Sequence, residues 1–399
     1  AIGGILFLGG GSTVTIAQRM FEGMNSFALL AIPLYTFAGF TMSKGGISKR
    51  LMDFCYSIVG HIYGGLAHVN VLSSMIFAGI SGSAVADTAG VSGMFMPEMV
   101  RKGYSKNFTV AVTAISSTIG IIIPPSIPMV VIAGICGIST GKLFLGGIIP
   151  GILCGLAQMI VSYFLAKKEG VPKEPGHFTI GPVLHGLWES WPALLMPIII
   201  VGTITMGIVS PTEAGVIAVV YGLFAGGIIY RELKWEDIKF AFAETVRTSG
   251  RIFIVIGAAK LYTVMLTTAG FDKWVAKTML GFSTNPTVIL IMILLIFFIV
   301  TMFMESIATL TLFMPILYPI ALGVGIDPIV LSVLITVVIG VGLVTPPVGM
   351  CIYVACDLMD TTVGEVFPTL VPFIAATFVC IALMVAFPQL ILLPTYLMA

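Results

Sequence analysis

Apolar stretches of about 18 residues or more recur along the whole of this 399-residue chain. Each is long enough to cross the hydrocarbon core of a bilayer as a helix, the form in which a chain satisfies its own backbone polar groups in lipid. Only 9% of the residues are charged, against roughly 25% in soluble domains. The sequence therefore predicts an all-α polytopic membrane protein.

The charge balance and the scattered reactive side chains exclude several function classes. A formal net charge of +1 argues against a nucleic-acid partner. The six cysteines form no CxxC pair, and the four histidines lack metal-ligand spacing, so we expect no cofactor and no metal beyond a coupling ion. His61 and His68 have no acidic partner in register, and we do not expect an intramembrane enzyme.

One apolar run is interrupted by polar residues in the stretch FAGISGSAVADTAG, which contains Ser81-Gly-Ser83 and Asp87. Basic residues flank this broken element on both sides, with Arg50 before it and Arg101 after it. Because loops rich in Lys and Arg stay in the cytoplasm, both ends belong on one face. The pattern predicts a re-entrant hairpin over about 66–100.

A second apolar pair, Pro286–Phe303 and Ser306–Leu322, has flanks without Lys or Arg. We therefore expect a second hairpin that opens to the opposite face. Its break falls at Glu305-Ser306, where no glycine occurs, so the break is less clearly marked. Two further spans, Asn107–Ile138 and Pro328–Met359, are interrupted by double prolines.

The remaining apolar runs predict continuous spans. They lie at about Ser26–Met42, Leu143–Ala166, Leu187–Ser210, Pro211–Tyr230, Arg251–Ala269 and Val363–Pro388. The amphipathic segment Arg231–Gly250 is expected to lie along the membrane interface. The opening residues AIGGILFL resemble the tail of a span whose start is missing. Five crossings separate the two hairpins, an odd number, so the two halves should be inverted relative to each other.

Matching stretches in the same order indicate an internal duplication. IGIIIPPSIP corresponds to VGLVTPPVGM, and a glycine stands 21 residues before each double proline, at Gly103 and Gly325. STGKLF corresponds to TTVGEVF, FMPEM to FMPIL, and Leu-Tyr-Thr occurs at 34 and again at 261. Inverted repeats with interrupted helices are typical of secondary transporters that bind their substrate at the membrane midplane.

Each helix break frees backbone groups that need a partner in lipid. Free carbonyl oxygens suit a small cation, and free N–H groups at a helix N-terminus suit a carboxylate. A hairpin tip beside a broken span supplies enough oxygen ligands for a dehydrated Na⁺, by analogy with other hard cations. The duplication then predicts two such sites with an organic anion between them.

Three motifs carry a family resemblance: GHIYGGLAHVNVLSSMIFAGISGSAVAD, SSTIGIIIPPSIPM and LFLGGIIPG. They closely resemble the large membrane subunit of tripartite ATP-independent periplasmic (TRAP) transporters, and the resemblance covers essentially the whole chain. It implies Na⁺-driven uptake by an elevator mechanism in the bacterial inner membrane. It also implies two protein partners, a small four-helix membrane subunit and a periplasmic binding protein that delivers an organic acid. Sialic acid is expected ahead of a C4-dicarboxylate.

The resemblance also assigns candidate residues by motif position. One Na⁺ site would use Ser81, Gly82, Ser83, Ser116, Thr118 and Pro124; the other would use Glu305, Ser306, Gly342, Thr345 and Pro346. Asp87, Ser126 and Thr309 are expected near the substrate. The implied division is a scaffold span with a connecting arm (1–66), half 1 of the transport domain (67–140), further scaffold spans with a second arm (141–285), half 2 of the transport domain (286–361) and a C-terminal span (362–399).

Two alternatives stay open on the sequence alone. A single-component dicarboxylate transporter coupled to Na⁺ or H⁺ could share this architecture, with Asp87 or Glu305 as the proton carrier in the H⁺ case. A structural membrane subunit that does not itself transport is the alternative from a different class. It predicts that Ser83→Ala and Thr345→Ala leave uptake intact.

Overall fold

The computed structural model describes residues 13–171 and 179–398, and the regular elements in these ranges are helices. The opening AIGGILFL lies outside these ranges. The α-helices are α1 Thr13–Met24, α2 Ala31–Lys44, α3 Ile47–Val59, α4 Gly65–Ser81, α5 Ala84–Arg101, α6 Lys106–Ser117, α7 Ile127–Cys136, α8 Thr140–Lys168, α9 Ile180–Thr205, α10 Pro211–Phe224, α11 Trp235–Thr268, α12 Phe271–Phe282, α13 Pro286–Thr301, α14 Ser306–Gly323, α15 Pro328–Gly342, α16 Met350–Asp357, α17 Val363–Ala386 and α18 Gln389–Leu392.

Within the described ranges, seven helical segments are long and apolar enough to cross a membrane. They are Phe27–Lys44, Thr140–Lys168, Ile180–Thr205, Pro211–Ile229, Trp235–Thr268, Ser306–Gly323 and Val363–Ala386. The apolar helices α4, α7, α13 and α15 are shorter. All four tryptophans are exposed, as expected of side chains that sit at a lipid–water boundary. The prediction of a polytopic all-α membrane protein is confirmed.

Both hairpins and both interrupted spans predicted from the sequence are present. Hairpin 1 consists of α4 and α5, and hairpin 2 of α13 and α14; the two helices of each hairpin pack against each other. Broken span 1 consists of α6, a 3₁₀ turn over Thr118–Ile121, and α7. Broken span 2 consists of α15 and α16. Helix lengths of 8–18 residues in these elements are too short for most of them to cross a bilayer alone.

The two halves correspond at a single offset of 222 residues. Helices α5 and α14 each contain 18 residues, and their first residues are 222 positions apart in the sequence. Gly103 and Gly325 both have left-handed φ values, 89° and 82°. In this register Pro97 corresponds to Pro319, so the FMPEM–FMPIL match lies four residues, about one helical turn, out of step.

Contacts at the helix ends show which way each hairpin opens. Next to the open end of hairpin 1, the Ser105 hydroxyl donates to Glu169 Oε1 (3.0 Å), and Lys106 Nζ donates to the carbonyl of Met359 (3.3 Å). We call this end of the molecule the basic face. Broken span 2 starts just after hairpin 2 and ends at the basic face, so hairpin 2 opens on the opposite face. The predicted inversion of the two halves agrees with this arrangement.

Two predicted boundaries are wrong. Most of the interfacial segment Arg231–Gly250 and of the span Arg251–Ala269 belongs to one continuous 34-residue helix, α11. Gly250 does not break the helix because a single glycine costs only about 1 kcal/mol in a helix interior, and flanking packing offsets that cost. Helix α9 likewise starts at Ile180, seven residues before the predicted Leu187.

The helices outside the hairpins and broken spans form a surrounding frame. Helix α2 packs against α10 and α11, and α3 packs against α9. The Tyr35 hydroxyl donates to the carbonyl of Pro211 (2.8 Å). Arg50 on α3 forms an ion pair with Glu232 (2.7 Å) and stacks over the Tyr230 ring. These contacts tie the connecting helix α3 to the frame beside hairpin 1.

Candidate functional site

The tip of hairpin 1 is a two-residue turn that the sequence builds from glycine and serine. Helix α4 ends at Ser81, and Gly82 adopts a left-handed conformation (φ 65°) that favours a residue without a side chain. The Ser83 hydroxyl then accepts a hydrogen bond from the Ala86 N–H (3.4 Å) and caps α5. The Ile127 N–H in broken span 1 donates to the Gly82 carbonyl (3.2 Å), which fixes the tip against the break.

Asp87 lies one turn into α5 and is completely buried. The Ser81 hydroxyl donates to its Oδ1 atom, and its Oδ2 atom has no donor within the protein. Gly120 stands directly against Oδ2, where a Cβ atom would collide with the carboxylate. A buried, half-satisfied carboxylate is costly unless a cation or a proton accompanies it.

Broken span 1 brings further oxygen atoms to this tip. The Thr118 hydroxyl donates to the Ile115 carbonyl (2.7 Å), and the Ser116 hydroxyl donates to Asn70 Oδ1 (3.2 Å). Pro124 is buried in the break, and the bond to the following proline is cis. The Ser126 hydroxyl donates to the Ile121 carbonyl (2.5 Å) and caps α7 by accepting from Met129 N–H (3.2 Å).

The tip of hairpin 2 is built differently. Glu305 takes the place of a small capping residue, and its Oε2 atom accepts from the N–H groups of Ile307 (2.8 Å) and Ala308 (3.3 Å). The Ser306 hydroxyl donates to the other carboxylate oxygen. The Thr309 hydroxyl donates to the Glu305 carbonyl (3.0 Å). This break, which the sequence marked less clearly, is therefore made by a carboxylate cap in place of glycine.

Broken span 2 meets this tip through a similar backbone contact, shifted by one residue on the broken span and by two on the hairpin relative to the first half. The Val348 N–H donates to the Met302 carbonyl (3.1 Å). The Thr345 hydroxyl donates to the Val341 carbonyl (2.7 Å), and a Cβ on Gly342 would lie 2.7 Å from Thr301 Cβ. Pro346 follows, and its bond to the next proline is also cis. A hairpin carbonyl bound by the neighbouring break thus occurs twice.

The two halves meet between the tips. Helix α16 packs against α5 and α6, and α7 packs against α14, so each half inserts into the other. Cys351 on α16 lies beside Thr88 of α5 and near both Asp87 and Glu305. A Cβ on Gly340 would lie 3.2 Å from Thr118 Cβ, so the two broken spans touch where they are interrupted.

The structure places most of the predicted residues at the two tips or in the breaks beside them, whereas Ser116 lies farther from the first tip, where it bonds with Asn70 and Ser74. Sequence reasoning did not assign Gly120, Thr301 or Cys351, which line the same region. Only Gly120 carried a signal, because it precedes the double proline at the position that Gly342 occupies in the second half. Grouping alone leaves the assignment of these residues to Na⁺ and to substrate a prediction.

Comparison with known proteins identifies the family. A family model described as "Tripartite ATP-independent periplasmic transporter, DctM component" matches residues 1–390. The chain belongs to this family. It is 36% identical to the sialic acid TRAP transporter large permease SiaM of Vibrio cholerae over 94% of this chain and 88% of that protein. It is 34% identical to the C4-dicarboxylate TRAP transporter large permease DctM of Pseudomonas aeruginosa over 98% of this chain and 92% of that protein.

A third relative is longer than this chain. The isethionate TRAP transporter permease DctMQ of Oleidesulfovibrio alaskensis is 37% identical over 90% of this chain, which spans 57% of that protein. Among solved structures, the YdaH transporter of Alcanivorax borkumensis has the same fold, with a TM-score of 0.63 at 13% identity over 93% of this chain and 86% of that chain. The TRAP relatives are named as permeases, which confirms the expectation of a multi-pass membrane transport protein that is not an enzyme.

Proposed function

We propose that this chain is the large membrane subunit of a Na⁺-coupled uptake system for an organic acid, and that it works by an elevator mechanism. The observation that carries the proposal is a hairpin-to-break backbone contact at each tip, Gly82 carbonyl to Ile127 N–H and Met302 carbonyl to Val348 N–H, on hairpins that open to opposite faces. Inverted halves with broken helices are the arrangement that secondary transporters use for alternating access.

The chemistry of each tip supports a small cation. Both tips carry a carboxylate, Asp87 or Glu305, beside serine hydroxyls and helix-end carbonyls, and oxygen ligands of this kind suit hard cations. The N-termini of α5 and α14 lie at the two tips, and helix N-termini favour an anion nearby. The substrate carboxylate would lie between the ions, with Asp87, Ser126 and Thr309 as candidate contacts.

The named relatives define the substrate class of this proposal. Their names specify sialic acid, C4-dicarboxylate and isethionate, at identities of 34–37% that do not separate one from another. We therefore propose that the substrate is an organic acid. A periplasmic binding protein would deliver it to this chain in the inner membrane. A small four-helix membrane subunit would complete the complex. The basic face would be cytoplasmic, since loops rich in Lys and Arg stay inside.

The test is uptake by the reconstituted complex with a panel of binding proteins, each loaded with a labelled organic acid. Uptake should follow an inward sodium gradient and stop when choline replaces sodium. Ser83→Ala and Thr345→Ala should both reduce it. Uptake in choline medium driven by a pH gradient would favour proton coupling, and uptake without any binding protein would favour the single-component alternative.

A further inference from the structure

A row of buried polar side chains lies where hairpin 1 packs against broken span 1. The contacts at the hairpin tip do not involve this row. Asn70 and Ser74 lie one turn apart on α4, and Thr113 and Ser116 lie on the facing side of α6. Asn70 Nδ2 donates to the Thr113 hydroxyl (2.7 Å), Ser116 donates to Asn70 Oδ1 (3.2 Å), and Ser74 donates to Ser116 (3.1 Å). All four are completely buried.

This row extends in both directions. Toward the tip, Gly120 stands about one turn beyond Ser116 and touches the Asp87 carboxylate. Toward the basic face, Thr109 lies one turn before Thr113, and Ser105 beyond it is exposed at that face. From Thr109 to Gly120 the row is about 16 Å long, at 1.5 Å per helical residue. It therefore connects the first break with the basic face.

Several atoms along the row are buried without a protein partner. Thr109 Oγ1, Gln158 Oε1 and Asp87 Oδ2 are oxygens of this kind, and all three residues are completely buried. Gln158 lies beside the middle of the row, since its Nε2 atom donates to the Ile115 carbonyl (3.4 Å). Buried polar atoms in native proteins are usually satisfied, and where protein donors are missing, ordered water or an ion supplies the partner.

The second half offers no such row. Helix α13 carries only apolar side chains from Val288 to Val300. On α15, Ser332 and Thr336 donate only to backbone carbonyls of their own helix, at 2.6 and 2.9 Å. The row is therefore not a general feature of a hairpin packed on a broken span. It belongs to the half whose tip is buried.

We propose that ordered water follows this row and lets a small monovalent cation exchange between the first break and the basic face while hairpin 1 is closed. The inference rests on the proposed function, because it takes the first break as a cation site. The row assists exchange by offering successive oxygen atoms to a partly dehydrated cation. Apart from Ser116, which is a candidate ligand at the first break, the row does not hold the cation at rest, so losing Thr113 or Gln158 should slow ion movement and leave equilibrium binding unchanged.

The test uses Thr113→Val and Gln158→Met in the complete reconstituted complex. The first removes one hydroxyl at nearly constant volume. The second removes the unpartnered Oε1 atom together with the long Nε2 bond to the Ile115 carbonyl and leaves the Asn70 bonds in place. The matched control is Thr336→Val, a completely buried threonine with the same bond to the carbonyl four residues back. Two quantities are measured: sodium-driven uptake, and the rise in Tm that NaCl produces over choline chloride.

Both test variants should lose about tenfold in uptake and keep the wild-type Tm rise in NaCl, whereas the control should match wild type in both. Uptake like that of the control would overturn the inference. Loss of the Tm rise would also overturn it, because the residues would then hold the ion or the fold. Failure of the proposed function gives a different result, namely a wild-type complex whose uptake and Tm are both indifferent to sodium.

Discussion

The two repeated halves follow the same chain path but differ in how deeply the residues at each break are buried. At the first break, Pro124 and Ser126 are buried; at the second, Pro347 and Val348 are exposed, and Val348 shows 40% of its surface. The first tip turns on a left-handed glycine, and the second on a carboxylate cap. Duplication preserved the backbone geometry, while the side chains made one break closed and the other open.

This difference gives the buried polar row of hairpin 1 a physical reason. On the function proposed above, a cation at the more exposed break would exchange directly, so an apolar α13 would have no effect on access. A cation at an enclosed break needs polar atoms to replace its hydration shell on the way out, since burying an unpaired charge is very costly. On the function proposed above, the two halves would thus provide access to their cation sites in different ways.

The largest expected effect comes from filling the space beside Asp87. In Gly120→Ala, the added Cβ would collide with a fully buried carboxylate that has no room to move. We expect uptake to fall to background and stability to drop by about 1–3 kcal/mol, as in other overpacked cores. Gly93→Ala in the same half is the control, because no atom lies within 4 Å of its Cβ position. Equal activity of the two variants would contradict a tightly closed first break.

The next effect separates the two carboxylates. Asp87→Asn removes a charge whose Oδ2 atom has no protein donor, and Glu305→Gln keeps one oxygen for the two N–H groups it caps. We expect Asp87→Asn to lower uptake about 100-fold and Glu305→Gln about tenfold, measured as initial rates against sodium concentration. The reverse order would mean that the second break, and not the first, depends more strongly on its charge.

Thiol labelling tests the enclosure itself. Val348→Cys should react at least about tenfold faster with a small water-soluble maleimide than Ser126→Cys, the corresponding position in the first half. The reason is that the reaction requires an accessible thiolate. The parent protein with its six native cysteines provides the background rate. Similar rates at the two positions would remove the asymmetry between the breaks.

The smallest effect concerns the contact between the halves at the basic face. Lys106 reaches the Met359 carbonyl through an exposed hydrogen bond, and exposed polar contacts contribute little. Lys106→Ala should change uptake less than about twofold and stability by less than about 0.5 kcal/mol. A larger loss would show that the halves depend on this surface contact more than on the packing of α16 against α5 and α6.

The sequence was sufficient for the architecture because helix breaks in lipid need unusual residues. Ser81-Gly-Ser83 and the double prolines predicted three of the helix breaks. The basic flanks predicted that both ends of hairpin 1 lie on one face. The fourth break was harder to recognise from the sequence. Glu305 caps its helix as a serine would, but a glutamate in the sequence looks like an ordinary surface residue. The continuity of α11 through Gly250 was missed because tertiary packing overrides a weak local breaker.

The site was less predictable, because its geometry depends on long-range packing. The position of Gly120 against Asp87 and that of Cys351 near Thr88 depend on helices that are distant in the chain. The row through Asn70 and Thr113 is visible in the sequence as polar residues at helical spacing within an apolar run. Such residues also serve ordinary helix packing in membranes, so the pattern does not assign a role by itself.

The most direct measurement is a pair of high-resolution cryo-EM maps of the complex, one prepared in sodium chloride and one in choline chloride. The account predicts interrupted helices at Gly82 and Glu305 in both maps, with added density beside the oxygens of each tip in sodium alone. Continuous helices through either tip, or maps that are identical at both tips, would contradict it.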